Sequence, residues 1–110
     1  MKELVTIEEW KEVLEQSKEE PILLLKHSTT CPISTHAYSR FEDYETSMPK
    51  YWLKVRESRP VSNEIESDLK VTHQSPQAFI LKDGKQVWNA SHTVIMASEI
   101  DRGLAENGLK

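Results

Sequence analysis

Ile22-Leu23-Leu24-Leu25-Lys26-His27-Ser28-Thr29-Thr30-Cys31-Pro32-Ile33-Ser34 is the stretch that decides how this chain folds. It opens on an unbroken apolar run, Ile22 to Leu25, bounded by Pro21 upstream and a small polar loop downstream. A short run of that kind fits a strand buried on both faces, as in a parallel sheet covered by helices. The loop over residues 26–30 leads into Cys31-Pro32. Proline is favoured at the first position of a helix, because its missing amide hydrogen had no partner there. Ile33, Ala37, Phe41 and Tyr44 then recur on one helical face, which predicts a helix from Pro32 to about Met48, ended by Pro49. Cys31 is thereby an N-cap and Ser34 the third helical residue.

Upstream, Thr6 and Glu9 make a T-x-x-E capping box, and Ile7, Trp10, Val13 and Leu14 follow at helical spacing. A helix over 6–19 is predicted, stopped by Pro21. Downstream, residues 51–56 (Tyr-Trp-Leu-Lys-Val-Arg) alternate between apolar and basic faces, the pattern of an edge strand. Pro60 breaks it, and Val61, Ile65 and Leu69 support a helix over 61–70. Residues 77–82 and 85–90 flank Asp83-Gly84, a strong hairpin signal. Val94, Ala97, Ile100 and Leu104 mark a last helix, with Gly108 as its stop. The order α-β-α-β-α-β-β-α requires a right-handed crossover and a parallel pair, then an antiparallel hairpin. The expectation is one α/β domain over residues 1–110, a four-stranded mixed sheet flanked by helices on both faces.

Composition narrows the function classes. The chain has 110 residues, with 14 Lys+Arg against 18 Asp+Glu and a net charge of −4. That balance argues against a nucleic-acid or membrane-surface partner, which calls for a basic patch or stripe. No apolar run approaches the ~18 residues of a membrane span, and Met1-Lys2-Glu3 opens directly into a charged amphipathic segment, so a cytoplasmic location is expected. The one cysteine, Cys31, excludes an internal disulfide and an all-cysteine zinc site.

A lone cysteine in a small domain is commonly a packing residue. Cys31, however, lies off the apolar face, at an N-cap, where unpaired amides and the helix dipole favour a thiolate. The thiolate is the attacking species in disulfide exchange. Ser34 makes Cys-Pro-Ile-Ser a C-x-x-S; serine cannot resolve a mixed disulfide, so the chemistry expected is monothiol, with a second thiol coming from solution. His27, His36, His73 and His92 match no zinc spacing, so no metal site is expected. Trp10, Trp52 and Trp88 read as packing residues. Ser75-Pro76-Gln77 stands before the third strand, where proline opens a strand or turns the chain. The α/β order with a nucleophilic cysteine after the first strand describes a thioredoxin-like fold, in which a cis-proline opposite the cysteine is expected.

The segment from Lys26 to Ser34, with its T-C-P-I-S core, resembles the signature of the monothiol bacilliredoxins of the YtxJ-like type. Arg59-Pro60-Val61-Ser62-Asn63, Ser75-Pro76-Gln77 and Ser91-His92 resemble that family's further motifs, so the likeness spans nearly the whole chain. It implies a thioredoxin-like fold and a glutaredoxin-like thiol–disulfide oxidoreductase active in stress response. Such an enzyme removes bacillithiol, a small thiol, from cysteines of other proteins. On that reading Cys31 is the nucleophile, Thr30 and Ser34 hydrogen-bond its sulfur, and the Ser75 backbone beside Pro76 pairs with an extended client. Pro32, Lys26, Arg56, Arg59, Ser91 and Thr93 line the groove for bacillithiol, whose malate carries two carboxylates. No tightly bound cofactor is implied; bacillithiol is co-substrate, and a free thiol or another redoxin regenerates Cys31. Two other readings compete: an iron–sulfur carrier of the monothiol glutaredoxin kind, and a non-catalytic thioredoxin-like module in which Cys31 senses oxidation.

Overall fold

The capping box closes as its spacing requires: the Glu9 amide donates to Thr6 Oγ1 at 3.1 Å, and the Thr6 amide donates to the Glu9 carboxylate at 3.0 Å. In the computed structural model, which describes residues 1–110, this box opens α1 (Ile7–Gln16) behind a two-residue strand, β1 (Lys2–Glu3). There follow β2 (Ile22–His27), α2 (Pro32–Asp43), β3 (Lys50–Lys54), α3 (Arg59–Leu69), β4 (Gln77–Lys82) and β5 (Lys85–Ser91). A 3₁₀ turn (His92–Val94) then precedes α4 (Ala97–Glu106).

The strands form one mixed sheet in the order β1-β3-β2-β4-β5, five strands where the sequence pattern predicts four. β1 is the addition. Two polar residues show no periodicity, yet they pair in parallel with Tyr51 and Trp52, and the Leu4 amide extends the ladder to the Trp52 carbonyl at 2.8 Å. β3 is therefore not an edge strand; its alternation reflects thin cover near the sheet margin, with only Leu53 of its five residues buried.

β2 is buried along its whole length and divides two cores. Ile22 and Leu24 face Leu4, Trp10, Val13, Val61, Ile65 and Phe79 beneath α1 and α3. Leu23 and Leu25 face Ala37, Phe41, Ile80, Ile100 and Leu104 beneath α2 and α4. Period two along one strand feeds both layers. Asp83 and Gly84 adopt φ of 57° and 76°, the positive values a two-residue hairpin of the favoured twist needs.

Helix boundaries differ from expectation in four places. α1 ends at Gln16 where the pattern predicts Glu19, residues 17–19 forming a turn. α2 ends at Asp43 instead of near Met48, because Lys50 Nζ donates to the carbonyls of Phe41, Glu42 and Tyr44 and so satisfies the helix C-terminus early. Pro60 lies inside the first turn of α3, starting that helix where it was expected to separate elements. The last helix begins at Ala97, after the 3₁₀ turn that holds Val94. No helix is long and apolar enough to cross a membrane.

Candidate active site

Sheet register brings the chemistry-bearing segments to one place. β3 runs parallel to β2 with Lys54 opposite His27, and β4 runs antiparallel with Gln77 opposite Lys26. Gln77 is in turn opposite Ser91 of β5. The loop to Cys31, the residues after β3, the Ser75–Pro76 peptide and the end of β5 therefore all lie at the carboxyl end of β2, the usual place for a site on such a sheet.

Cys31 is the N-cap of α2, extended at φ −109° and ψ 121°, with Pro32 inside the first turn. Its side chain makes no capping hydrogen bond, and it is partly exposed as a free thiol. The Thr35 amide and hydroxyl both donate to its carbonyl, at 3.0 and 3.3 Å, so the backbone is fixed while the sulfur is left without a partner. The first amides of α2 lack intrahelical acceptors, and an N-cap side chain lies against them.

Ser34 does not hydrogen-bond the sulfur as the sequence suggested. It is fully buried, its Oγ accepts from the Ser28 amide at 2.8 Å, and it lies 2.8 Å from His27 Nδ1. Those two contacts occupy the hydroxyl and tie the loop over Cys31 back to the end of β2. His27 is itself buried, with its ring centroid 4.9 Å from that of Tyr38 and 5.9 Å from that of Trp52. Burial holds it below the ordinary imidazole range, against the opposing pull of Ser34 and Glu57. Thr30 likewise makes its hydrogen bonds elsewhere than the sulfur: its hydroxyl is 3.4 Å from Ser28 Oγ and accepts from Arg56 at 3.5 Å.

Ser75–Pro76 is a cis peptide, and Pro76 is buried at the entry to β4. The Pro76 carbonyl accepts from the His92 amide at 3.0 Å, joining this turn to the segment after Ser91. Ser75 precedes the β-ladder, and its Oγ is buried without a partner. Arg59 is exposed at the start of α3, where its charge bears on His73.

Lys26 is a correction of another kind. It is 0% exposed and not part of a surface groove. Its Nζ donates to the Ser62 carbonyl at 3.1 Å and lies 3.1 Å from His73 Nδ1, beneath the segment that leads to Pro76. Burial pushes its pKa down to about 8, with Glu66 opposing. Burial and the Lys26 charge likewise depress His73. Lys26 holds α3 and the approach to the cis-proline together from inside.

The chain matches a family model described as Monothiol bacilliredoxin BrxC over residues 2–100. A solved protein described as a candidate oxidoreductase with a thioredoxin fold is 38% identical, with a TM-score of 0.86 over 93% of this chain and 91% of that one. Thioredoxin from Fasciola hepatica superposes with a TM-score of 0.77 at 16% identity, over 96% of this chain and 98% of that one. Mitochondrial thioredoxin 3 from Saccharomyces cerevisiae does so at 0.71 with 15% identity, over 96% and 94% of the two chains. At such identities the two thioredoxins carry the fold alone. The architecture is the thioredoxin fold.

Proposed function

The chain belongs to the monothiol bacilliredoxin family, a thioredoxin-fold redox family, and we propose that it removes bacillithiol from capped protein cysteines, with Cys31 as nucleophile. One observation carries this reading. The only thiol stands partly exposed at a helix N-cap, while the side chain three residues on is a buried serine already engaged by His27 and Ser28. Nothing within the chain can resolve a disulfide on Cys31, so the resolving thiol has to come from another molecule.

The Cys31 thiolate attacks the bacillithiol sulfur of a capped client. The client–bacillithiol S–S bond breaks, a Cys31–bacillithiol S–S bond forms, and the client leaves as a thiolate. A free bacillithiol thiolate then attacks that bacillithiol sulfur, releasing Cys31 and bacillithiol disulfide. The client is reduced by two electrons and two bacillithiols are oxidised to their disulfide, so both steps balance. The Ser75 backbone beside cis-Pro76, outside the β4 ladder, suits pairing with an extended client chain. Ser91, at the same sheet end, lies within the same reading of the groove.

Intact mass spectrometry tests the proposal. Reduced protein is mixed with a bacillithiol-capped client, using wild type and Cys31→Ser. The expected result is a bacillithiol adduct on wild type only, with the client freed. Equal release by both proteins, or no adduct on wild type, overturns it.

A further inference from the structure

Residues 71–75 link α3 to the Ser75–Pro76 peptide, and they make no backbone–backbone hydrogen bond. Side chains from three elements hold them instead. Gln77, buried at the start of β4, accepts from the Gln74 amide at 3.3 Å and donates to the Thr72 carbonyl at 3.2 Å. Glu66 of α3 accepts from the His73 amide at 2.6 Å. The third tie is the Lys26 ammonium of β2, 3.1 Å from His73 Nδ1.

That third tie works in one protonation state only. An ammonium has donors and no acceptor, so His73 Nδ1 has to bring a lone pair, with the ring proton on Nε2. The Ser62 hydroxyl faces the same nitrogen at 3.5 Å. A proton on Nδ1 replaces the lone pair with a second cation 3.1 Å from the first. Lys26 is 0% exposed and cannot withdraw, whereas His73 is exposed and can swing out to water. The charged groups around the ring are Lys26 of β2 and Glu66 and Arg59 of α3; Gln77, which clasps Thr72 and Gln74 on either side of it, carries no charge. Burial, then Lys26, and more weakly Arg59, hold the ring below the ordinary imidazole range, with Glu66 opposing. The contact is therefore made at neutral pH and lost in acid.

We propose that the Lys26–His73 contact is an acid-released latch on the segment that presents the Ser75 backbone, so that client binding weakens when His73 takes a proton. The inference rests on the function proposed above, in which that backbone pairs with the client. Once His73 leaves Lys26, residues 72–75 keep only their bonds to Gln77 and Glu66, and the Ser75 backbone is no longer held in place before β4. Attack by Cys31 on a small disulfide that pairs with no backbone is indifferent to the latch.

The test mixes reduced protein, in single turnover, with a bacillithiol-capped client or with bis(2-hydroxyethyl) disulfide, from pH 8 to pH 5. The readout is the ratio of the two rates of Cys31 thiol loss, in which the titration of Cys31 and the folded fraction cancel. In wild type the ratio is expected to fall about fivefold toward pH 5, the size set by a buried donor left without its acceptor. His73→Asn can turn a carbonyl oxygen to Lys26 and does not titrate, so its ratio is expected to follow no such fall. Amide exchange over residues 72–75 at pH 5 is expected to be faster in wild type than in His73→Asn. An equal fall in both proteins, or no fall in wild type, overturns the latch and leaves the proposed function standing. A wild type that reacts with the hydroxyethyl disulfide but leaves the capped client intact at every pH overturns both.

Discussion

Lys26 shows how one residue can be misread from its own chemistry. Lysine beside a reactive loop suggests a surface cation, and the apolar run stops at Leu25, where the pattern ends the strand. The strand runs on to His27, and period two places Lys26 on the same face as Ile22 and Leu24, beneath α3. The same extension buries His27, whose role behind Ser34 had no separate signal beyond its position in the run. Cys31 and Pro32, by contrast, were legible, because capping is a local rule. The buried ammonium gives a pH test. A pKa lowered from 10.5 to about 8 means the folded state releases its proton first as pH rises. Below pH 8 the whole cost of burying the charge is present. Between pH 8 and 10.5 the unfolded chain binds more protons than the folded one, so stability from this group rises with pH. At about 1.4 kcal/mol per pH unit, the gain is on the order of 2–3 kcal/mol by pH 10. Urea unfolding of wild type and Lys26→Met at pH 7 and pH 10 isolates it from the tyrosines, which titrate in both. Wild type is expected to gain on the variant by that amount. A gap between the two proteins that is the same at both pH values refutes the assignment.

Among the elements, those governed by short-range rules were readable and those governed by a distant partner were not. The Thr6–Glu9 box, the Asp83-Gly84 hairpin and the Pro32 helix start depend on neighbours within four residues. The end of α2 depends on Lys50 reaching back from β3, and β1 exists only because β3 offers an open edge. The α4–β5 contact is likewise tertiary and yields a prediction against propensity. Gly103 is buried in α4, and a Cβ built there lies 2.7 Å from two Trp88 ring atoms and 2.9 Å from a third. Glycine to alanine inside a helix ordinarily gains about 1 kcal/mol. Overpacking against a ring typically costs about 1–3 kcal/mol. The clash is the larger effect, so Gly103→Ala is expected to lower stability by about 1 kcal/mol, read as a fall in Tm. In a Trp88→Leu background the same change is expected to raise Tm, since the flexible leucine yields and the propensity gain remains. A Gly103→Ala variant more stable than wild type contradicts the packing argument.

Across the molecule, the sheet separates what holds the fold from what does the chemistry. Both cores lie along the body of β2, and the candidate site hangs from its carboxyl end on segments fixed by short hydrogen bonds of their own. The burial of β2 on both faces, which divides the cores, was visible in the sequence as an unbroken apolar run; the convergence of Thr30, Arg56, Ser75 and Ser91 at one sheet end was implied only by the family resemblance, because deriving it from the residues needs the register of four strands. If the site is carried by local bonds on a firm base, stability and rate should separate. Ile65 is fully buried in the α1–α3 core, on the middle of α3 and away from the Cys31 loop in that helix's packing. Ile65→Ala removes three methyl-sized groups there and is expected to cost about 2–5 kcal/mol. A domain of this size is stable by roughly 5–15 kcal/mol, so most molecules stay folded at 20 °C. Each kcal/mol lowers Tm by about 4–8 °C in a domain near this length, so a fall on the order of 10–40 °C is expected. The uncapping rate per folded molecule at 20 °C is expected to stay within about twofold of wild type, with the active fraction counted by thiol titration of Cys31. A rate that falls in step with stability while the protein remains folded means instead that the site borrows its geometry from the core, and that the loop bonds to His27 and Ser34 are not sufficient to hold it.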